Sequence, residues 1–254
     1  IQHWLVLSLL VASAWVAWDN WGRFVGMTAH SDAQTLPTET VAKTQMQMRG
    51  KYLATVGGCV GCHSPRGQAL MAGGRAIQTP YGAVVSSNLS SSRQHGIGAW
   101  SLADFEMALR WGRSKDGRLL LPVFPYNHTS LLSAEDVTAM FVWLQSLPPV
   151  EQAVAPHGLI WPLGTQPVIA VWRSLYFKPE AWRADTTQSE AFNRGSYLVQ
   201  GLGHCATCHG QRNALGSFPA VSDLSGGVLS AQAWVAPNLR DSQQTATSRS
   251  SVQE

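Results

Sequence analysis

The sequence predicts an all-α fold: two copies of one small helical unit in tandem, the second incomplete, behind an apolar N-terminal segment. Three observations carry that expectation. First, Cys59-Val60-Gly61-Cys62-His63 and Cys205-Ala206-Thr207-Cys208-His209 repeat one five-residue pattern and use all four cysteines of the chain. Second, the surroundings repeat. Arg49-Gly50-Lys51-Tyr52-Leu53 and Arg194-Gly195-Ser196-Tyr197-Leu198 begin ten or eleven residues before the first cysteine, and Gly73-Gly74 leads to Asn88-Leu89 as Gly226-Gly227 leads to Asn238-Leu239. Self-similarity of this kind implies two copies of one structural unit. Third, the stretches between these landmarks show helical periodicity with helix caps, so few strands are expected.

Residues 1–40 form the N-terminal segment. Trp4 to Trp18 is an uncharged apolar run of fifteen residues containing Ala12-Ser13-Ala14, a small-residue cleavage pattern. Fifteen residues match the apolar region of an export signal and fall short of the ~20 that a spanning helix needs. A cleaved signal and a retained anchor are both open.

The first unit covers 41–150. A helix from about Val41 to Gly57 places Met48, Tyr52 and Val56 at four-residue intervals on one face, and Gly57-Gly58 ends it. The five-residue motif and a loop with Pro65 and Gly67 follow. Ser101 caps a helix with Asp104 three residues on; Leu102, Phe105 and Leu109 face inward until Gly112 stops it. After the turn Pro122-Val123-Phe124-Pro125-Tyr126, Ser133 opens a helix with Asp136 at its third position. That helix carries Val137, Met140, Phe141 and Leu144, and Pro148-Pro149 terminates it.

Residues 151–188 hold Pro156, Pro162, Pro167 and Pro179 with Trp161, Trp172 and Trp182. They are too apolar for a flexible linker. A strap packed over the two units is expected, with a contact surface for another subunit or lipid as the alternative, since clustered tryptophans favour interfaces. The second unit, 189–239, matches the first only up to Asn238-Leu239. Residues 240–254 are a polar tail rich in Ser, Gln and Thr, with no apolar periodicity, and are expected to be disordered.

The repeated motif carries the chemistry. C-x-x-C-H is the attachment signature of c-type haem: the two thiols add to the porphyrin vinyl groups, and the histidine lies where its ring nitrogen can ligate the iron. Cys59, Cys62, Cys205 and Cys208 are the expected covalent sites of two haems c, with His63 and His209 as proximal iron ligands. The alternatives are a zinc site made of two C-x-x-C knuckles and a catalytic dithiol. Zinc ribbons keep their knuckles within roughly 15–20 residues, whereas these lie well over a hundred apart. Haem attachment takes place outside the cytoplasm, so a periplasmic location is expected.

Composition fits such a role. Charged residues are 13% of the 254, against about 25% in an average soluble protein, and Trp reaches 11. That depletion suits a surface partly covered by haem, partner subunits or membrane. The formal charge of +3 omits the haem propionates, and nothing resembles a basic nucleic-acid stripe.

Taken together, Arg49–His63 with the following Ser-Pro-Arg-Gly, Gly73-Gly74-Arg75, Thr79-Pro80-Tyr81-Gly82, Gly96-Ile97-Gly98-Ala99-Trp100, Pro122–Tyr126, Asn193–His209 and Arg212-Asn213-Ala214-Leu215-Gly216 resemble the cytochrome c subunit of membrane-associated bacterial dehydrogenases. The family serves alcohol, aldehyde and nicotinate- or isoquinoline-type enzymes. The resemblance covers about residues 45 to 239 and implies tandem cytochrome c domains, of which the family usually carries three. It implies an electron-transfer subunit working with a dehydrogenase catalytic subunit (a molybdenum hydroxylase or a quinoprotein) and in some cases a small Fe–S subunit. Electrons would pass toward ubiquinone or another respiratory acceptor at the inner membrane. The resemblance also places the P-x-[MF]-P-Y turn on the distal haem face. The alcohol-oxidising branch has a ligating methionine in that turn; here Phe124 stands there and cannot ligate, which looks more like the N-heterocycle and aldehyde branch.

His128 is the first candidate for the sixth ligand of the first haem, with Met107, Met140 or an open iron as alternatives; core packing is the plain reading of both methionines. No methionine lies beyond Cys208. His204, immediately before Cys205, is held to the attachment side and is expected to be structural. The second haem is therefore expected to lack a sixth ligand from its own unit: another chain supplies one, the iron is open, or the unit does not mature. Two rival functions remain, a dihaem cytochrome c peroxidase and a haem-based gas sensor. The first is favoured by the wide separation of the two motifs; the second would need a signalling module that the chain does not present.

Overall fold

The computed structural model describes residues 2–29, 39–217, 220–229 and 234–240; all but the first residue of the expected polar tail lie outside them. Helix α1 (Gln2–Ala29) leads. The first unit then runs through α2 (Thr40–Val56), α3 (Cys59–His63), the hairpin β1 (Ala76–Thr79) and β2 (Gly82–Val85), α4 (Leu102–Trp111), α5 (Tyr126–Thr129) and α6 (Ala134–Gln145). The strap contributes β3 (Gly158–Leu159) and α7 (Gln166–Tyr176). The second unit has α8 (Glu190–Tyr197), a π-helical turn Leu198–Leu202, α9 (Ala206–His209) and the hairpin β4 (Gly227–Leu229) and β5 (Trp234–Ala236).

The fold is thus mostly helical rather than all-α. β1, β2 and β3 form an antiparallel sheet in that order, with Ala76 opposite Val85 and Gly82 opposite Leu159, while β4 and β5 pair with Gly227 opposite Ala236. These strands are two to four residues long, too short for alternation to announce them; tertiary pairing makes them. Gly82 sits at φ 111°, and a Cβ there would stand 2.2 Å from the Gly158 carbonyl oxygen, so glycine is what lets β3 reach the hairpin edge.

Local signals did place α4 and α6. Ser101 and Asp104 form a reciprocal capping box, Gly112 ends α4 with φ 58°, and the Ser133 hydroxyl accepts the Asp136 N–H at the start of α6. The face of α2 that carries its larger apolar residues is not the buried one. Met48, Tyr52 and Val56 are exposed, and Gly50, Leu53 and Ala54 are buried instead. The reason is the crossing of α2 on α6, where a Cβ on Gly50 would fall 1.9 Å from the Ala139 carbonyl oxygen. Backbones that approach so closely need the small residues between them, which turns the larger apolar stripe outward.

The core lies under this crossing and draws on both units: Leu53, Phe105, Leu132, Val137, Phe141 and Leu144 pack with Tyr197 and Leu202. Its polar centre is Asp136, only 1% exposed. One carboxylate oxygen accepts from Arg49 Nε at 3.0 Å and Nη2 at 2.6 Å; the other accepts from the Tyr197 hydroxyl at 2.7 Å, which in turn accepts the Ser133 N–H at 3.1 Å. One Arg-Gly-x-Tyr-Leu copy therefore sends its arginine, and the other its tyrosine, to the same carboxylate.

Helix α1 docks on α7. Asn20 Nδ2 donates to Ser174 Oγ at 3.0 Å and Ala170 O at 3.3 Å, and Ser174 Oγ donates to Asp19 at 2.8 Å. Beneath them, buried Arg173 donates to the Trp111 and Gly112 carbonyls and lies over the rings of Phe177 and Tyr126. The N-terminal part of α1 stays exposed through Trp4, Leu7, Leu10, Val11 and Trp15. Among the described residues no helix is long and apolar enough to cross a membrane.

Candidate haem-attachment centres

Each motif folds as a short helix, α3 or α9, and the two have the same surroundings. His63 Nδ1 lies 2.7 Å from the Ser87 carbonyl oxygen, and His209 Nδ1 lies 2.8 Å from that of Pro237. Ser87 and Pro237 each immediately precede an Asn-Leu pair. The His63 carbonyl accepts the Gly73 N–H, and the His209 carbonyl accepts the Gly226 N–H, at 2.8 and 2.7 Å. Leu89 N–H donates to Met71 O and Leu239 N–H to Leu224 O, both at 2.8 Å. The loop after the second motif is longer, yet the same three bonds close around its histidine. An arginine also donates to the carbonyl just before each second cysteine: Arg75 to Gly61, and Arg212 to Thr207 at 2.8 Å.

These bonds decide what the histidines can do. A carbonyl oxygen only accepts, so Nδ1 carries the proton in both rings and Nε2 keeps its lone pair. Burial lowers the His63 pKa, which favours the neutral ring that a metal requires. In both motifs the first cysteine is half-buried and the second exposed. The residues present fit a covalently held haem, with Cys59, Cys62, Cys205 and Cys208 for the thioether bonds and His63 and His209 for the iron. Bound there, haem c supplies a one-electron couple at its iron.

Three of the four thiols have the opposite of the lowered pKa that a reactive dithiol needs. Burial pushes the Cys59 pKa up to about 11 and raises those of Cys62 and Cys205, so all three remain protonated and poor nucleophiles near neutral pH. Cys208 adds to the rise at Cys62 and Arg75 opposes it. Among the described residues no three His, Cys, Asp or Glu side chains gather as a metal site.

The remaining sequence candidates are spread out. Met140 is a core residue at 3% exposure, and Phe124 packs against that core. His128 is fully buried on α5, its Nδ1 2.5 Å from the Gln200 carbonyl in the π-helical turn and its ring 6.3 Å from that of His204. Burial, with His204 and Arg212 adding to it, brings its pKa down to about 4. His204 does more than hold the attachment side: its Nε2 reaches across to the Gly57 carbonyl at 3.0 Å. Sequence reasoning read Asp136 only as a residue of the helix start, and missed Arg173 and the two carbonyls that orient the histidines. Only the repeated Asn-Leu pair pointed to the last.

A repeated C-x-x-C-H helix with a carbonyl-oriented histidine in each copy defines a c-type haem protein. Comparison with known proteins narrows this further. The chain is 38% identical over 195 residues to one of the subunits of nicotinate dehydrogenase from Pseudomonas putida, covering 76% of this chain and 16% of that one. It is 37% identical over 208 residues to the gluconate 2-dehydrogenase cytochrome c subunit of Pantoea cypripedii, covering 78% and 47%. It is 35% identical over 184 residues to a diheme cytochrome c-type protein of Cereibacter sphaeroides, covering 70% and 62%. The chain is thus a homologue, at 33–37% identity, of cytochrome c subunits of bacterial gluconate, alcohol and fructose dehydrogenases. It spans less than two thirds of the length of each of these relatives. No family model matches it.

Proposed function

We propose that the chain is a dihaem electron-transfer subunit that takes electrons from a dehydrogenase catalytic subunit and passes them to a respiratory acceptor. The observation that carries this reading is the duplicated surrounding of His63 and His209: three equivalent hydrogen bonds that leave the same ring nitrogen for iron in both copies. The relatives are dehydrogenase subunits, which leaves the peroxidase reading without support. The catalytic partner is a molybdenum hydroxylase or a quinoprotein, with a small Fe–S subunit in the first case, and ubiquinone is the acceptor. The place of work is the periplasmic face of the inner membrane, where the exposed tryptophans of α1 favour an interface. The second unit leans on the first through Tyr197.

His128 is the sixth ligand in this proposal. Its support is the tautomer it shares with the two proximal histidines, Nδ1 donating to a backbone carbonyl. Exchange of His128 for alanine then alters the visible spectrum of one haem and leaves the other unchanged. The function is tested on purified, matured protein. Acidified solvent should leave the pigment on the polypeptide, two haems per chain, and a redox titration should resolve two one-electron steps. Pigment that extracts freely sinks the proposal.

A further inference from the structure

In both copies the residue ahead of the first cysteine has a left-handed backbone: Gly58 at φ 65° and His204 at φ 38°. Glycine holds that conformation without steric cost, whereas a histidine there is strained, and strain of this kind persists where the surroundings hold it in place. The two residues face each other. A Cβ on Gly58 would lie 3.7 Å from His204 Nε2. That nitrogen is 3.0 Å from the Gly57 carbonyl, so it carries the proton, the reverse of the tautomer held by His63 and His209. Beside it Leu202 closes on Gly57, where a Cβ would stand 3.1 Å from Leu202 Cδ1, and the His204 ring makes an edge contact with His128. The π-helical turn Leu198–Leu202 takes up the one extra residue between Arg194 and Cys205; by doing so it brings His204 round to this seam.

We propose that His204 is a positioning residue that ties the second haem-attachment turn to the first and so fixes the separation of the two redox groups. The proposal rests on the two-haem reading above. Glycine at 204 would relieve the backbone and reproduce the first copy while removing the bond to Gly57; a role in stability alone predicts unchanged coupling between the haems, whereas a positioning role predicts looser coupling.

The experiment uses the full, haem-matured chain carrying His204→Gly. Haem content, by alkaline pyridine spectrum, should stay at the wild-type value, and the melting temperature should hold or rise. Electron equilibration between the haems after partial photoreduction should slow several-fold, up to about tenfold. That is the factor one lost hydrogen bond of ~1.4 kcal/mol puts on the docked arrangement. Magnetic coupling between the two ferric irons should weaken in parallel. Wild-type equilibration and coupling in His204→Gly overturn the proposal. Should that variant fail to mature, Gly57→Ala, which presses on Leu202 from the other side, is read against the same two outcomes. Fewer than two haems in the unmodified chain overturns the two-haem reading instead, and the two failures are therefore distinct.

Discussion

The two Arg-Gly-x-Tyr-Leu copies set up a paired substitution whose halves have opposite signs. In Gly50→Ala, the new methyl would sit 1.9 Å from the Ala139 carbonyl oxygen, 2.6 Å from its carbon and 2.8 Å from Trp143 Cβ. The closest of these is about 1.5 Å short of ordinary contact at 3.4 Å. The obstructing atoms are backbone, so no side-chain rotation relieves them and α2 must back away from α6. Overpacking of a tight core costs about 1–3 kcal/mol, occasionally more, while alanine returns up to about 1 kcal/mol of helix propensity. With backbone atoms in the way the cost falls at the upper end of that range, and a net loss of about 2 kcal/mol corresponds to a melting temperature lower by about 4–8 °C in a chain of this size. Gly195 occupies the matching place in α8, where a Cβ meets nothing within 4 Å. Gly195→Ala therefore keeps only the propensity gain and should raise the melting temperature by about 2–4 °C. The assay is thermal unfolding of the matured protein followed at the haem absorbance and by far-ultraviolet circular dichroism. Equal stability of Gly50→Ala and wild type, or a fall in both variants, refutes the geometry of the α2–α6 crossing.

Replacement of Cys59 and Cys62 together by alanine should halve the haem that survives denaturation and solvent extraction, as should replacement of Cys205 and Cys208; a full complement in either double variant rules out that motif as an attachment site. Tyr197→Phe leaves the Ser133 N–H and one Asp136 oxygen without their partner and should cost about 1–3 kcal/mol in urea unfolding. Burial and the bond to Asp136 push the Tyr197 pKa up to about 12. A pKa raised in the folded state gives stability that is complete below the unfolded value near 10 and is lost as pH rises through about 12. Alkaline unfolding should consequently steepen between pH ~10 and ~12 in wild type and lose that component in Tyr197→Phe. Asn20→Ala removes an acceptor of Arg173 and the donor to Ser174; it should make α1 the first site of limited proteolysis while haem content stays constant. Unchanged cleavage of α1 would show that the docking on α7 contributes nothing.

What could be read from the sequence was what is decided locally. The capping box at Ser101 and Asp104 and the stop at Gly112 need only neighbours within one turn, and they stand where the pattern put them. The buried face of α2 was not legible, because periodicity picks out large apolar residues, whereas a close helix crossing selects Gly50 and Ala54. The hairpins were invisible because Ala76–Thr79 alternates too weakly and becomes a strand only when Gly82–Val85 and Gly158–Leu159 pair with it. Helix α7 was hidden among prolines, although Pro167 stands at the start of a helix, where a missing N–H costs nothing. For the proposed site, the cysteines and histidines carry a sequence signature because haem attachment would fix their spacing. The carbonyls of Ser87 and Pro237 were not legible, since a backbone acceptor leaves no residue signature.

The two copies differ most where they touch. Each brings Arg-Gly-x-Tyr-Leu to its motif, but Arg49 runs to Asp136 while Arg194 lies over the ring of Tyr197, and that tyrosine takes the second oxygen of the same aspartate. Asp136 is thus satisfied only when both units are present. Gly58 and His204 repeat this logic at the other end of the two helices, one copy supplying the small residue and its counterpart the side chain that fills the space. Duplication explains why the histidine environments match bond for bond; it does not explain these asymmetric contacts, because an exact copy would set arginine beside arginine and glycine against glycine. Unlike residues at equivalent positions are what two halves require if they are to dock on each other rather than merely follow one another. Such docking sets the two motif helices in one frame, which is the part the polypeptide would have to provide in the proposed relay between two centres.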